Sequence, residues 1–210
     1  QICVASGTPE RQQEVLFMSD KKIKKMVGLA IFTAIVVVLQ LLGSFIKVGS
    51  FSISLVLIPI VVGAAVYGPG AGAYLGGVFG AVVSIACVNG SDAGGYVLFS
   101  ARPFLTVLVC MLKGILAGAA AGGVFTLVSK KNAYLGVFLA AIAAPVVNTG
   151  LFCLSLELFF HDILVERTAG TDLVYYIFVG LVGVNFLLEL AVNLVCSPVI
   201  FRITKLVRKS

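Results

Sequence analysis

The chain has 210 residues, of which 60% are hydrophobic and only 11% charged, and its formal net charge is +6. A charged fraction well below the roughly 25% of soluble domains excludes an ordinary soluble protein and predicts one compact helical bundle in a membrane. The positive charge does not indicate nucleic-acid binding, because no basic face with interleaved aromatic residues is present.

The first seventeen residues are polar and differ from everything that follows them. They also lack the apolar core of a cleaved signal sequence. We interpret Met18 as the natural start and residues 1–17 as a disordered upstream extension, either translation from too far upstream or an expression remnant. Residues 18–210 are then expected to form a single six-helix membrane domain.

Three short basic clusters separate the apolar segments, at residues 21–25, 130–131 and 202–209. Cytoplasmic ends of transmembrane helices retain Lys and Arg, so all three clusters are expected on the cytoplasmic side. An even number of crossings must then lie between neighbouring clusters. The chain is predicted to cross four times and then twice, which gives an all-α bundle of six transmembrane helices with both termini in the cytoplasm.

Six apolar segments approach the roughly 20 residues that a helix needs to cross a bilayer. They are residues 26–43, 51–67, 71–88, 103–128, 134–160 and 173–201. The second is short for a full crossing and ends at the tight turn of residues 67–70, where Gly and Pro interrupt the helix. Residues 89–95 are predicted to form a polar outer loop, and Pro103 fits the first turn of the fourth helix.

Small residues recur at every fourth position in several of these helices. Helices in lipid associate through close backbone contact, which small side chains permit. The third, fourth and fifth helices are therefore predicted to pack along seams formed by Gly72, Gly76, Gly80 and Ser84, by Gly114, Gly118 and Gly122, and by Gly136, Ala140 and Ala144. In the first helix, Ala30 and Ala34 have the same spacing, which suits either internal packing or a docking face.

The sequence contains no motif typical of an enzyme. It has no G-x-x-x-x-G-K-[ST] phosphate loop, no H-E-x-x-H and no G-x-S-x-G, and its only histidine lies in a predicted loop. Four of the five cysteines fall within apolar runs, which is typical of helix packing rather than of disulfides or metal binding. No catalytic residue, metal site or cofactor is predicted.

Lys113 is the most informative polar residue, because it lies about ten residues, or roughly 15 Å, into the fourth helix. A charged side chain at membrane depth is costly and is read as functional or paired. Arg102, Thr106 and Lys113 would project from one face if the helix began at Arg102. Two cations on that face would attract an anion. Alternatively, Lys113 pairs with Glu189, and Arg102 reaches the lipid headgroups.

Asn185, Glu189 and Asn193 recur every four residues on the sixth helix and form a polar stripe that should face the bundle interior. Asn185 lies nearest the outside and is the better ligand candidate, whereas Glu189 is deeper and is predicted to be the partner of Lys113. On the fifth helix, Asn148 is expected to bond another helix. Tyr96, near the outer mouth, is either part of an interfacial aromatic belt or a stacking or lid residue.

The chain resembles the membrane-embedded substrate-binding components, or S components, of energy-coupling factor (ECF) vitamin transporters. The resemblance is carried by A-x-x-x-A at residues 30–34, by F-S-I-S-L-V-L-I-P-I at residues 51–60, and by Y-G-P-G-A-G at residues 67–72. It covers nearly all of residues 21–210. The six-helix topology and the missing ATPase agree with it.

The resemblance implies a bacterial plasma-membrane protein with a vitamin site near the outer leaflet, built from helices four to six and capped by the outer loops. Ala30 and Ala34 would dock a membrane coupling (T) subunit, which works with two cytoplasmic ATPases. The S component would topple in the membrane to release its ligand.

For the substrate, Arg102 and Lys113 favour a small carboxylate vitamin, and the absence of Trp removes the best cation–π surface for a cationic one. We favour pantothenate, whose carboxylate would meet Arg102 or Lys113 while its amide and hydroxyls bond Asn185, Ser100 or Thr106. Folate, riboflavin and other heterocycles are alternatives. A rival interpretation is a membrane scaffold or assembly subunit without a ligand, in which the polar residues only join helices.

Overall fold

The computed structural model describes residues 9–43, 47–48, 51–52, 55–168 and 183–209. Within these ranges the fold is helical, as predicted, with one short hairpin added. The helices are α1 (Pro9–Gly43), α2 (Leu57–Tyr67), α3 (Pro69–Val88), α4 (Ala93–Ala101), α5 (Pro103–Val128), α6 (Ala133–Thr168) and α7 (Gly183–Lys209), and the strands are β1 (Lys47–Val48) and β2 (Phe51–Ser52).

Among the residues described, five helices are long and apolar enough to cross a membrane. These spans are Lys22–Gly43, Pro69–Val88, Pro103–Val128, Ala133–Ile163 and Asn185–Val207, and they correspond to the predicted first, third, fourth, fifth and sixth helices. The chain is therefore a multi-pass membrane protein. Residues 173–182 of the predicted sixth helix lie outside the described residues.

Helix α1 begins at Pro9, ahead of Met18. Residues 9–17, which belong to the segment for which disorder is expected, are thus helical, and residues 1–8 lie outside the described part of the chain. The composition gives the reason. Residues 10–27 contain neither Gly nor Pro and include Glu, Gln, Lys and Leu, which have high helix propensity.

The predicted second helix is wrong in its first part. Phe51 and Ser52 form strand β2, which pairs antiparallel with β1 so that Lys47 lies opposite Ser52 and Val48 opposite Phe51. Polar and apolar residues alternate from Phe51 onward, a period of two that favours a strand over a helix. Helix α2 therefore begins only at Leu57 and has 11 residues, about 16 Å, or roughly half of the hydrocarbon thickness.

The prediction of a loop over residues 89–95 is wrong at its end, because α4 begins at Ala93. Asp92 caps this helix, and its Oδ1 accepts a hydrogen bond from the Gly95 backbone N–H at 3.1 Å. A Cβ added at Gly95 would collide with the Cys87 sulfur, so glycine lets α4 lie directly against the end of α3. Two adjacent glycines favour a loop because glycine has a low helix propensity, but the Asp92 cap and this packing stabilise the helix nevertheless.

Helices α3 and α5 pack antiparallel along the predicted glycine seams. A Cβ added at Gly76 would strike the Gly114 carbonyl, and one added at Gly72 would strike the Gly118 carbonyl. The same additions at Gly114 and Gly118 would strike Gly76 and Gly72 in return. The two backbones are therefore in direct contact, which confirms that these residues form a packing seam.

Helix α2 lies at the centre of the bundle and contacts α1, α3, α5, α6 and α7. Most of its residues are fully buried, including Leu57, Ile60, Val61 and Ala64. A helix that is apolar on all sides requires such a position. These five helices surround it, and their outward faces carry large exposed hydrophobic side chains suited to lipid.

The basic clusters lie at one end of the bundle, which we call the basic end (Lys22–Lys25, Lys130–Lys131 and Arg202–Lys205). The Tyr67 hydroxyl lies against Gly28 near the start of α1, and Pro69 lies against Gly122 near the end of α5. The Tyr134 and Phe201 rings meet at 5.4 Å. These contacts join the three clusters on one side, and α4 lies at the opposite end, about 30 Å away along α3.

Candidate ligand-binding cavity

A cavity of about 90 Å³ lies at the α4 end of the bundle, several times the roughly 10–15 Å³ that one water requires. It is enclosed by α3, α4, α5, α6 and α7 and also reaches Gln40 of α1. Its polar lining includes Asp92, Thr106, Lys113, Asn148, Ser155, Asn185 and Glu189, and its aromatic lining is Phe79, Phe152, Phe160 and Phe186. The cavity thus offers a polar side and an apolar side.

Three of the six predicted ligand residues line this cavity. They are Thr106, Lys113 and Asn185. The other three, Tyr96, Ser100 and Arg102, do not belong to the lining. Tyr96 is half exposed on α4, and the Ser100 hydroxyl donates to the Tyr96 carbonyl at 2.8 Å within the same helix.

Arg102 joins α5 to the end of α6 rather than facing the cavity. Its guanidinium forms an exposed ion pair with Asp162 at 2.6 Å and donates a second hydrogen bond to the Phe159 carbonyl at 2.6 Å. The backbone of Arg102 is not helical, with φ −140° and ψ 77°, because α5 begins at Pro103. The expected common face of Arg102 and Lys113 therefore does not form, and the two cations are separated.

Lys113 lies in the cavity wall, with its amine 4.6 Å from the centre of the Phe152 ring. This cation–π contact holds the amine in place without neutralising it. The ion pairs within the described part of the chain are Arg102–Asp162 and His161–Glu157, so Lys113 forms none there. The predicted ion pair with Glu189 is not made at contact distance, although the two groups interact electrostatically.

Three acceptor oxygens around the cavity are buried and have no hydrogen-bond partner among the residues described. They are Asn148 Oδ1, Asn185 Oδ1 and Glu189 Oε1. Asn148 and Glu189 are each only 6% exposed. A buried polar atom without a partner costs about 1–3 kcal/mol, so three of them in one cavity indicate a surface that is completed by a ligand.

Asn148 was expected to bond another helix, and its side chain does interact with Glu189 of α7; its place in the cavity lining was not predicted. Its spacing carried a usable signal, since Asn148, Phe152 and Ser155 recur at intervals of four and three and so share one face of α6. All three line the cavity. The sequence could not show that this face meets open space, because that depends on how α6 packs against α5 and α7.

The apolar side of the cavity includes two fully buried phenylalanine rings. Phe79 and Phe160 are each 1% exposed, and Phe160 packs with Leu98, Cys153 and Leu156 beneath α4. Helix α6 is kinked at Phe160, where φ is −130° and ψ is 15°. Below this kink, α6 presents Phe152, Ser155 and Leu156 to the cavity.

Ala30 and Ala34 are both exposed on α1 and do not contribute to the interior of the bundle. They lie among larger exposed side chains, including Val27, Ile31 and Ile35. Of the two uses that the spacing allows, packing against another described part of this chain is therefore not observed. The two alanines lie on an exposed apolar surface of α1.

A protein-family model described as the substrate-specific component of ECF transporters matches residues 24–201. The match spans most of the chain and includes all the residues that line the cavity. A comparison with curated proteins returned no match.

Proposed function

Because the chain belongs to the family of ECF transporter substrate-specific components, we propose that the cavity at the α4 end captures a vitamin for import. A protein of this kind is a binding component of a transporter and not an enzyme. Transport would require a membrane coupling subunit and two cytoplasmic ATPases, and Ala30 and Ala34 would dock the coupling subunit. Their exposure on α1 supports this role.

We further propose that the basic end is cytoplasmic and that the cavity faces the outside of a bacterial plasma membrane. The positive clusters at one end of the bundle support this orientation. The six predicted segments then correspond to α1, α2, α3, α5, α6 and α7, with both termini in the cytoplasm. The shortness of α2 fits its position, because it is shielded from lipid by five other helices.

The vitamin that fits best is a small carboxylate of the pantothenate type. One observation carries this choice: the Lys113 amine lies in the cavity wall, rests on Phe152 and has no carboxylate paired with it in the described structure. A ligand carboxylate would supply the missing counter-ion. Arg102 is not included in the proposed site, because its guanidinium already forms an ion pair with Asp162.

Native mass spectrometry of the gently extracted protein tests the proposal directly. We expect one bound small molecule with the mass of pantothenate, released on unfolding. The mass of a different vitamin would support the capture function but show that pantothenate is not the substrate. The absence of any bound molecule, together with no binding in titrations with pantothenate, folate and riboflavin, would favour the scaffold interpretation instead.

The variant Lys113→Ala is expected to weaken pantothenate binding by roughly 10- to 100-fold, because a hydrogen bond to a charged group contributes about 1.5–3 kcal/mol. Isothermal titration of the purified protein measures the effect. Arg102→Ala is the matched control and should change the affinity by less than about threefold, since its ion pair is exposed and outside the cavity. Equal losses in both variants would remove Lys113 from the site.

A further inference from the structure

We propose that the ligand is recognised chiefly through its hydrogen-bond donors. Asn148, Asn185 and Glu189 accept hydrogen bonds from these donors on one wall of the cavity, and Lys113 binds an acidic or acceptor group of the ligand on the opposite wall. The ligand class is then a compact molecule with at least three N–H or O–H donors and no more than one negative charge. This inference rests on the proposed function, because it concerns the same cavity. It assigns binding roles to Asn148 and Glu189, which the sequence places in helix contacts.

The first step is that the three acceptors face the cavity together. Asn148 Oδ1 lies on α6, and Asn185 Oδ1 and Glu189 Oε1 lie on α7. Each of these oxygens is buried and has no donor at hydrogen-bond distance within the described part of the chain, although the Asn148 side chain and the Glu189 carboxyl interact across the two helices. Since buried acceptors are nearly always paired in folded proteins, the donors are expected to come from the ligand.

The second step is that other polar groups of the lining are already engaged. The Thr106 hydroxyl donates to the Arg102 carbonyl at 3.0 Å, and the Ser155 hydroxyl donates to the Leu151 carbonyl at 2.6 Å. Asp92 accepts from Gly95 as the cap of α4. These groups already form hydrogen bonds within or at the start of their own helices. The acceptors that still lack a donor therefore lie on the wall formed by α6 and α7.

The third step is that the two walls have opposite hydrogen-bonding character. Lys113 on α5 offers only donors, whereas Asn148 Oδ1 and Asn185 Oδ1 on the facing wall are acceptors. Lys113 is also the one cation among the described residues that line the cavity, and Asp92 adds an acidic side chain at the α4 end. A phosphorylated ligand with two or more negative charges would therefore meet a single positive charge, whereas a single carboxylate can sit on the Lys113 side.

Pantothenate satisfies this pattern, since it has two hydroxyls, one amide N–H and one carboxylate. Its apolar dimethyl group would meet the phenylalanine side of the cavity. The neutral alcohol analogue pantothenol keeps the three donors and replaces the carboxylate with a hydroxyl. We call the wall formed by Asn148, Asn185 and Glu189 the donor-reading wall. Comparing the two compounds therefore separates the contribution of this wall from that of Lys113.

The experiment is isothermal titration of the full-length protein with pantothenate, combined with thermal unfolding of the ligand-free protein. Asn148→Leu and Asn185→Leu should each weaken binding by about 10-fold or more, since each removes one acceptor. Asn185→Leu should not lower the unfolding temperature of the ligand-free protein, because it also removes an unpartnered buried polar atom, whereas Asn148→Leu additionally removes the interaction of Asn148 with Glu189. Ser197→Ala, a buried change on α7 outside the lining, is the control and should alter affinity less than twofold.

The charge assignment is tested in the same titrations. Pantothenol should bind the wild-type protein about 10-fold more weakly than pantothenate does, and Lys113→Ala should abolish this difference. Retention of the full difference in Lys113→Ala would overturn the assignment of the two walls.

Several results separate this inference from the proposed function. If Asn148→Leu and Asn185→Leu bind pantothenate like the wild type, or if Asn185→Leu lowers the ligand-free unfolding temperature as a structural role requires, the donor-reading wall is wrong and vitamin capture stands. A co-purified vitamin with fewer than three N–H or O–H donors would likewise contradict the donor-reading wall and leave vitamin capture in place. If the wild-type protein binds no vitamin, the capture function fails and this inference fails with it.

Discussion

Replacing Ala34 with leucine is expected to abolish vitamin uptake while leaving vitamin binding intact, and Ala30→Leu is expected to do the same. Both alanines are exposed on α1, so the larger side chain has room among the residues that the structure describes. A partner helix that approaches closely over two small residues cannot do so over leucine. Uptake of radiolabelled vitamin into vesicles containing the coupling subunit and both ATPases measures the first effect, and titration of the purified protein measures the second.

The neighbouring change Ile35→Leu provides the control for this experiment. Ile35 is exposed on the same helix, and the substitution preserves side-chain volume. Uptake should remain within about twofold of the wild-type value. Loss of folding in both alanine variants would show that the pair packs inside the protein, and normal uptake in both would show that the coupling subunit docks elsewhere.

The second large effect is expected at the α3–α5 seam, where Gly114→Leu should prevent recovery of folded protein or lower its stability by more than about 3 kcal/mol. The added side chain would point at the Gly76 carbonyl, a backbone atom that cannot move aside as a side chain can. Overpacking of a well-filled interior usually costs about 1–3 kcal/mol, and contact with backbone raises that cost. Size-exclusion profiles and thermal unfolding in detergent measure the outcome.

Gly123→Leu is the matched control on the same helix, because nothing lies within 4 Å of a Cβ added there. Both changes raise helix propensity equally, so a difference between them reports packing alone. Equal stability of the two variants would show that α3 and α5 do not meet along the glycines.

Much of the bundle could be predicted from the sequence, because a bilayer imposes a length on every span and positive charges gather at one side. The predicted ends of the third and fourth helices lie within two residues of α3 and α5. The glycine seams were also predictable, since residues four apart share one face of a helix. Their pairing with each other, Gly72 with Gly118 and Gly76 with Gly114, required the structure.

The errors in β2 and α4 fall in short segments, which are decided by contacts with a neighbouring element rather than by average composition. Strand β2 pairs with β1 just before it, and α4 forms because Asp92 caps it and Gly95 leaves room for Cys87. The alternation from Phe51 and the capping residue are visible in the sequence, but the packing of Gly95 against Cys87 is not.

The candidate site shows the same limit. Lys113, Thr106 and Asn185 were found from their polarity at membrane depth, which is a local property. Arg102 was assigned to the site on the assumption that the helix begins at Arg102, whereas α5 begins one residue later. The orientation of its side chain is set by Asp162, sixty positions away in the chain. Asn148 and Glu189 were recognised as polar and buried, but only the packing of α5, α6 and α7 shows that they border a cavity.

The glycine seam also determines which walls of the cavity can move. Helices α3 and α5 meet through backbone atoms at the seam glycines, so no side-chain rotamers can rearrange there and we expect the two helices to move as one unit. This pair of helices carries Phe79 and Lys113, two residues of the lining. Under the proposed function, a vitamin is therefore expected to enter and leave by displacement of α4 or of the α6–α7 side, and not by separation of α3 from α5.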